Sequence, residues 1–95
     1  MSSGKDASLI GKWTGSVGGE TVEMEFSRDG RLTYTIHAGQ RLQKMLMVYR
    51  IEGDTIISDQ PSHPREDRTK FRFDESGRLV LDYGGREAQF SRIQG

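Results

Sequence analysis

His37, His63, Arg41 and Arg86 are the side chains of this sequence best placed by type to do chemistry. Two imidazoles could meet to hold a metal or to take a proton. No carboxylate is placed beside them by spacing, however, and two ligands fall short of the three or four that a zinc site needs. No Ser/His/Asp set or carboxylate pair is fixed locally either, so no residue is assigned a catalytic role and no metal site is expected. Arg86 is the sharper candidate. It falls opposite Tyr83 across a Gly84-Gly85 turn, and an inward arginine there could anchor a carboxylate or phosphate by a charge-assisted contact. The competing reading is a side chain that reaches solvent at a rim. Arg41 reads as a solvated charge. Glu23 and Glu25 share the outward face of a strand, which suits an ion pair with Arg31 or another neighbour better than catalysis. Gly18-Gly19 is followed by no helix and so is not a phosphate-cradling loop. The chain has no cysteine, which removes disulfides, thiolate metal sites and a thiol nucleophile. No cofactor is expected.

The elements that must position these residues belong to one unit, because 95 residues suffice for a single domain. Residues 1–7 read as a flexible leader and 8–95 as that domain. Basic and acidic residues number 14 each, so there is no basic footprint for nucleic acid or an anionic membrane surface. No run approaches the ~18 apolar residues of a spanning helix, and the first residues lack the apolar core of a signal peptide. The compartment stays open, with the cytoplasm slightly favoured over secretion after removal of a signal.

Gly18-Gly19, Asp29-Gly30, Gly53-Asp54, Ser76-Gly77 and Gly84-Gly85 punctuate short runs of alternating apolar and polar residues, a hairpin cadence. Eight strands are predicted, near 8–17, 20–27, 31–37, 44–51, 55–59, 67–73, 78–83 and 86–93. Cross-strand partners share a face, so turn length can be read from the apolar pattern. Two-residue turns at 18–19 and 84–85 set Trp13 opposite Met24 and Leu81 opposite Ala88. Two-residue turns at 29–30 and 76–77 would put Phe26 and Leu32, and Phe73 and Leu79, on opposite faces. Three-residue turns ending in Gly30 and Gly77 restore them, with glycine at the left-handed position that such a hairpin favours. The turn at Gly53-Asp54 leaves open which of Ile56 and Ile57 points inward.

One face of the resulting meander is apolar and the other charged, and no amphipathic helix is available to cover the apolar face. The sheet is expected to close on itself, giving an all-β, small antiparallel up-and-down barrel of about eight short strands, with a two-sheet sandwich as the alternative. Gly11-Lys12-Trp13 on the first strand, with Arg92 inward on the last, resembles the Gly-x-Trp motif and closing arginine of the lipocalin, or calycin, superfamily. The resemblance implies that Gly11, Trp13 and Arg92 close one end of the barrel, with Arg92 stacked on Trp13. The last strand lacks the Arg-x-Tyr clamp of fatty-acid-binding proteins, so a fatty-acid ligand is not carried over.

Counting strands up and down, the turns at 29–30, 53–54 and 76–77 share the end closed by Trp13 and Arg92. The other end gathers the turns at 18–19 and 84–85 with two longer connections, 37–44 and 60–66, and is the expected mouth. Ile36, Met45, Met47, Phe71, Tyr83 and Arg86 are the expected ligand-binding residues there, for a small apolar or amphipathic molecule, unless the methionines merely fill the core. The expected function is non-enzymatic ligand binding. The alternative is a filled barrel acting as an interaction module. Residues 44–49 are apolar on both faces, and Leu46, Val48 and Ile57 are the expected outward patch, suited to a homodimer.

Overall fold

Alternation with period two places successive side chains on opposite faces of a strand, and eight such runs form strands in the chain. The structure is a computed structural model that describes residues 9–61 and 66–93. The leader expected over residues 1–7 and His63 lie outside the described residues. The strands are β1 (Gly11–Val17), β2 (Glu20–Phe26), β3 (Arg31–Ala38), β4 (Arg41–Glu52), β5 (Thr55–Asp59), β6 (Asp67–Phe73), β7 (Leu79–Tyr83) and β8 (Arg86–Arg92). Each pairs antiparallel with the next, and β8 returns to β1, so the sheet is a closed up-and-down barrel rather than a sandwich.

Turn length sets the register throughout. Trp13 pairs with Met24 and Gly15 with Val22, while Leu81 pairs with Ala88 and Leu79 with Phe90. Phe26 faces Leu32 and Phe73 faces Leu79 across the two three-residue turns. In those turns Gly30 and Gly77 have φ of 85° and 82°, the left-handed region that a side chain resists. Ile51 pairs with Ile56, which resolves the fourth hairpin: Ile56 points inward and Ile57 outward.

The connection expected over 37–44 is instead part of a hairpin. His37 pairs with Leu42 and Ala38 with Arg41, leaving Gly39-Gln40 as a two-residue turn with Gly39 at φ 63°, the residue that a tight hairpin favours at its first central position. β4 therefore starts three residues earlier than expected. β1 starts later, at Gly11, because the chain before it turns so that the Trp13 indole N–H donates to the Leu9 carbonyl at 2.9 Å.

The core is densest at the end bearing the 28–30 and 75–77 turns. Leu9, Trp13, Phe26, Leu79 and Phe90 are fully buried there. The Arg92 guanidinium stands 4.3 Å from the Trp13 ring centroid and donates to the Ile10 carbonyl at 2.8 Å, capping the indole. Gly11 admits that guanidinium, since a Cβ at this position would lie 2.6 Å from Arg92 Nη1. Tyr49 meets Phe26 edge-on at 5.1 Å and donates its hydroxyl proton to the Ser27 carbonyl at 2.7 Å.

Two outward apolar residues are also buried. Ile57 is 1% exposed and lies in register between Arg50 and Arg68. Glu52 and Glu66 each approach both arginines within 4 Å, so four charges form a ring about Ile57. Val80 lies similarly between Arg72 and Gln89. Ile57 is thus not part of an exposed patch, unlike the expectation. Among the described residues, the large outward apolar side chains that are exposed are Leu42, Leu46 and Val48, all on β4.

Candidate ligand-binding cavity

Inward side chains of β2, β3 and β4 stack in two layers fixed by register. Met24, Tyr34 and Met45 are neighbours in one, and Phe26, Leu32 and Met47 in the next layer toward the closed end. Ile56 and Leu81 face them from β5 and β7. Together these walls line a cavity of about 940 Å³ that is open to solvent on one side, within the range that takes one drug-sized molecule. Its rim is polar: Ser58, Gln60, Asp67, Thr69 and Tyr83 line it alongside the backbone at Gly84. The cavity thus lies toward the end that carries the Gly84-Gly85 turn, opposite the Trp13–Arg92 cap.

Two tyrosines meet across this space. Tyr34 comes from β3 and Tyr83 from β7, and both line the cavity. Desolvation raises the Tyr83 phenol well above its ordinary ionisation range, with further contributions from the charge and the hydrogen bond of Tyr34. The Tyr83 phenol is thus held in its neutral form, and a phenol hydroxyl can both donate and accept.

Of the six residues expected to bind ligand, Met45, Met47 and Tyr83 line the cavity. Ile36 packs against the core cluster, Phe71 is buried in it, and Arg86 is exposed; none of these three is in the wall. Arg86 pairs with Tyr83 as expected, but it follows the turn directly, at the very end of the strand, where an inward parity no longer leads into the barrel. Tyr34, Asp67 and Gln60 were not among the expected ligand-binding residues. Parity carried a signal for each: Tyr34 alternates with Leu32 and Ile36, Asp67 with Thr69 and Phe71, and Gln60 with Ile56 and Ser58.

His37 sits on the outer face with its Nε2 3.5 Å from the Glu23 carboxylate but without a hydrogen bond, and Arg31 lies beside Asp29 at 3.6 Å. Among the described residues no group of three or more His, Asp or Glu side chains is arranged to hold a metal, and no helix is long and apolar enough to cross a membrane.

The fold and cavity define a closed, eight-stranded antiparallel β-barrel with an internal space, an architecture compatible with a lipocalin-like fold. Comparisons with protein-family models, with curated proteins and with solved structures found no match.

Proposed function

We propose that this barrel is a non-enzymatic binder of one small apolar or amphipathic molecule, held in the cavity between the Tyr34–Tyr83 pair and the Phe26–Leu32 layer. The observation that carries this reading is the cavity itself. A barrel that acted only through its outer surface would have no use for a largely apolar recess of about 940 Å³ that opens at one end, a volume suited to one drug-sized molecule. The Trp13–Arg92 cap behind Gly11 supports a lipocalin-like, calycin-type relationship, in which one end is sealed and the other admits ligand. Native mass spectrometry of the purified protein, with titration of the neutral dye Nile red, tests the reading. One dye per chain is expected, and Met47→Trp, which fills the wall, should abolish binding while the far-ultraviolet spectrum is kept. Absence of both dye binding and co-purifying ligand would overturn it.

A second reading rests on a separate observation. Leu42, Leu46 and Val48 are 58%, 70% and 45% exposed on the outer face of β4, and exposed apolar side chains sharing one face suit a contact between two copies. A homodimer through this face should appear in light scattering as concentration rises and be lost in Val48→Glu. A monomer at every concentration refutes it.

A further inference from the structure

We infer that the cavity takes an amphiphile whose polar end is uncharged, an alcohol or an amide, in preference to a fatty acid or an alkylamine. This rests on the ligand-binding reading above and assigns the polar end to the hydroxyls of Tyr34, Ser58, Thr69 and Tyr83.

The inference comes from the kind of polar group that register turns inward. Tyr34 shares the inward face of β3 with Leu32, Ser58 that of β5 with Ile56, Thr69 that of β6 with Phe71, and Tyr83 that of β7 with Leu81; all four hydroxyl residues line the cavity. Thr69 pairs with Ile56 and Ser58 with Asp67. Continuing the Lys70–Asp82 register by one residue sets Thr69 level with Tyr83, with Ser58 nearer the mouth. Across the barrel, Tyr34 stands two residues, about 7 Å of strand, above Leu32 at the floor. Hydroxyls from four strands therefore gather above an apolar floor, each able to donate and to accept.

The ionic groups at the border are engaged elsewhere. Arg68 pairs with the outward Ile57, and its guanidinium meets Glu66 at 3.2 Å and Glu52 at 3.9 Å on the outside of the barrel. Asp82 pairs with Lys70 and Glu87 on the same outer face, and its carboxylate accepts the Gly85 N–H at 2.8 Å. Asp67, at the exposed start of β6, has an interaction of its own. A ligand head at the level of Tyr83 thus meets hydroxyls as its first partners.

Burial makes that level unfavourable for an ion of either sign. Desolvation raises the Tyr83 phenol above its ordinary range, so an anion formed there loses more hydration than its surroundings replace. A ligand carboxylate meets the same loss, and an ammonium meets its counterpart. An alcohol or amide exchanges water for partners of the same kind and loses little. An ionic head keeps its hydration only by staying at the open side, which draws its chain away from Phe26 and Leu32.

The test is displacement of Nile red at neutral pH by decanol, decanamide, decanoate and decylamine, each below its solubility and micellar limits. Decanol and decanamide are expected to displace the dye at about one-tenth the concentration needed for either ion. The same series is run on Tyr34→Phe and Tyr83→Phe, singly and together, each read against the dye affinity of that protein. Loss of both hydroxyls should raise the concentration of decanol required about three- to tenfold, and that of the ions less than about twofold; a single variant gives the same comparison at smaller amplitude if the pair does not fold. Decanoate or decylamine acting as strongly as decanol overturns the inference, as does a preference for decanol that the phenylalanine variants leave intact. In either case dye binding persists and the cavity reading stands. If the parent protein binds no dye, the cavity reading falls and this inference with it.

Discussion

The β1–β8 seam that closes the barrel should fail when a single methyl group is added at Gly15. Three residue pairs define this seam: Trp13–Arg92, Thr14–Ser91 and Gly15–Phe90. Gly15 does not have a positive φ, so its requirement is space. A Cβ there would stand 2.5 Å from the Gln89 carbonyl oxygen and 2.7 Å from the Phe90 ring. The ring occupies the place of the missing side chain, as aromatic residues do opposite glycine in a sheet. The carbonyl belongs to the backbone and cannot yield without moving β8. Overpacking of this kind costs about 1–3 kcal/mol, and each kcal/mol lowers the melting temperature of a domain of this size by about 4–8 °C. Gly15→Ala is thus expected to melt about 4–24 °C lower. Gly18→Ala is the control: it carries a backbone cost at φ 59° but meets nothing within 4 Å. Urea unfolding gives the free energies, and hydrogen exchange at residues 13–15 and 90–92 reports the seam. A Gly15→Ala protein within about 0.5 kcal/mol of the parent, or one whose seam amides exchange no faster than those of Gly18→Ala, refutes the reasoning.

Arg92→Ala removes both the stack on Trp13 and the bond to the Ile10 carbonyl, and is expected to cost about 1–3 kcal/mol; tryptophan emission should shift to the red, and an unchanged spectrum with unchanged stability counts against the cap. Ile57→Ala should cost about 2–4 kcal/mol, whereas Glu66→Gln, which opens the surrounding ring of half-exposed charges, should cost under about 1 kcal/mol and less still in high salt; the reverse order in denaturant titrations would show that the ring outweighs the burial. The N–H groups of Arg78 and Ser76 each donate to Asp74 at 2.9 Å and hold its carboxyl below the usual 3.8. A depressed folded value makes the contribution complete above the unfolded value and loses it as pH falls through the folded one. Asp74→Asn should therefore be less stable than the parent near neutrality and converge with it in acid, and parallel stability curves would refute the assignment.

The register of this barrel was legible because a period of two leaves little freedom once a turn is dated by its glycine. The pairs Phe26–Leu32 and Phe73–Leu79 needed three-residue turns, and Gly30 and Gly77 stood where those turns need a left-handed residue. Gly39-Gln40 escaped notice because a lone glycine between polar residues does not break the apolar pattern that marks a turn. The site was half legible for a related reason. Parity says which face Met45, Met47 and Tyr83 occupy, and they do line the cavity. It does not say how far along a tilted strand the enclosed space extends, and so Arg86 and Phe71 were expected in a wall that passes between them. The covering of Ile57 depends on Glu66, the last residue of the β5–β6 connection, joining Arg50, Glu52 and Arg68, a contact that no local spacing encodes.

The same strands divide stability and binding between the two ends of the barrel. Toward the cap, indole, phenyl and leucine side chains are buried to within a few per cent, and the Arg92–Trp13 stack and the Tyr49–Ser27 bond hold the chain ends and turns together. Toward the mouth, Tyr34, Met45, Met47, Ser58 and Thr69 are only partly buried, because each keeps one side against the cavity. Methionine suits that position, being flexible enough to move with a guest and apolar enough to line the space without one. A void of this size near the cap would remove packing contacts from the residues that stabilise the fold most. The cavity is instead floored by Phe26 and Leu32 of the closed end and otherwise draws on Tyr34, Met45 and Met47, which are only partly buried. A barrel of eight short strands can in this way keep a cavity and remain folded, and the chemistry of its rim can change with little cost to its closed end.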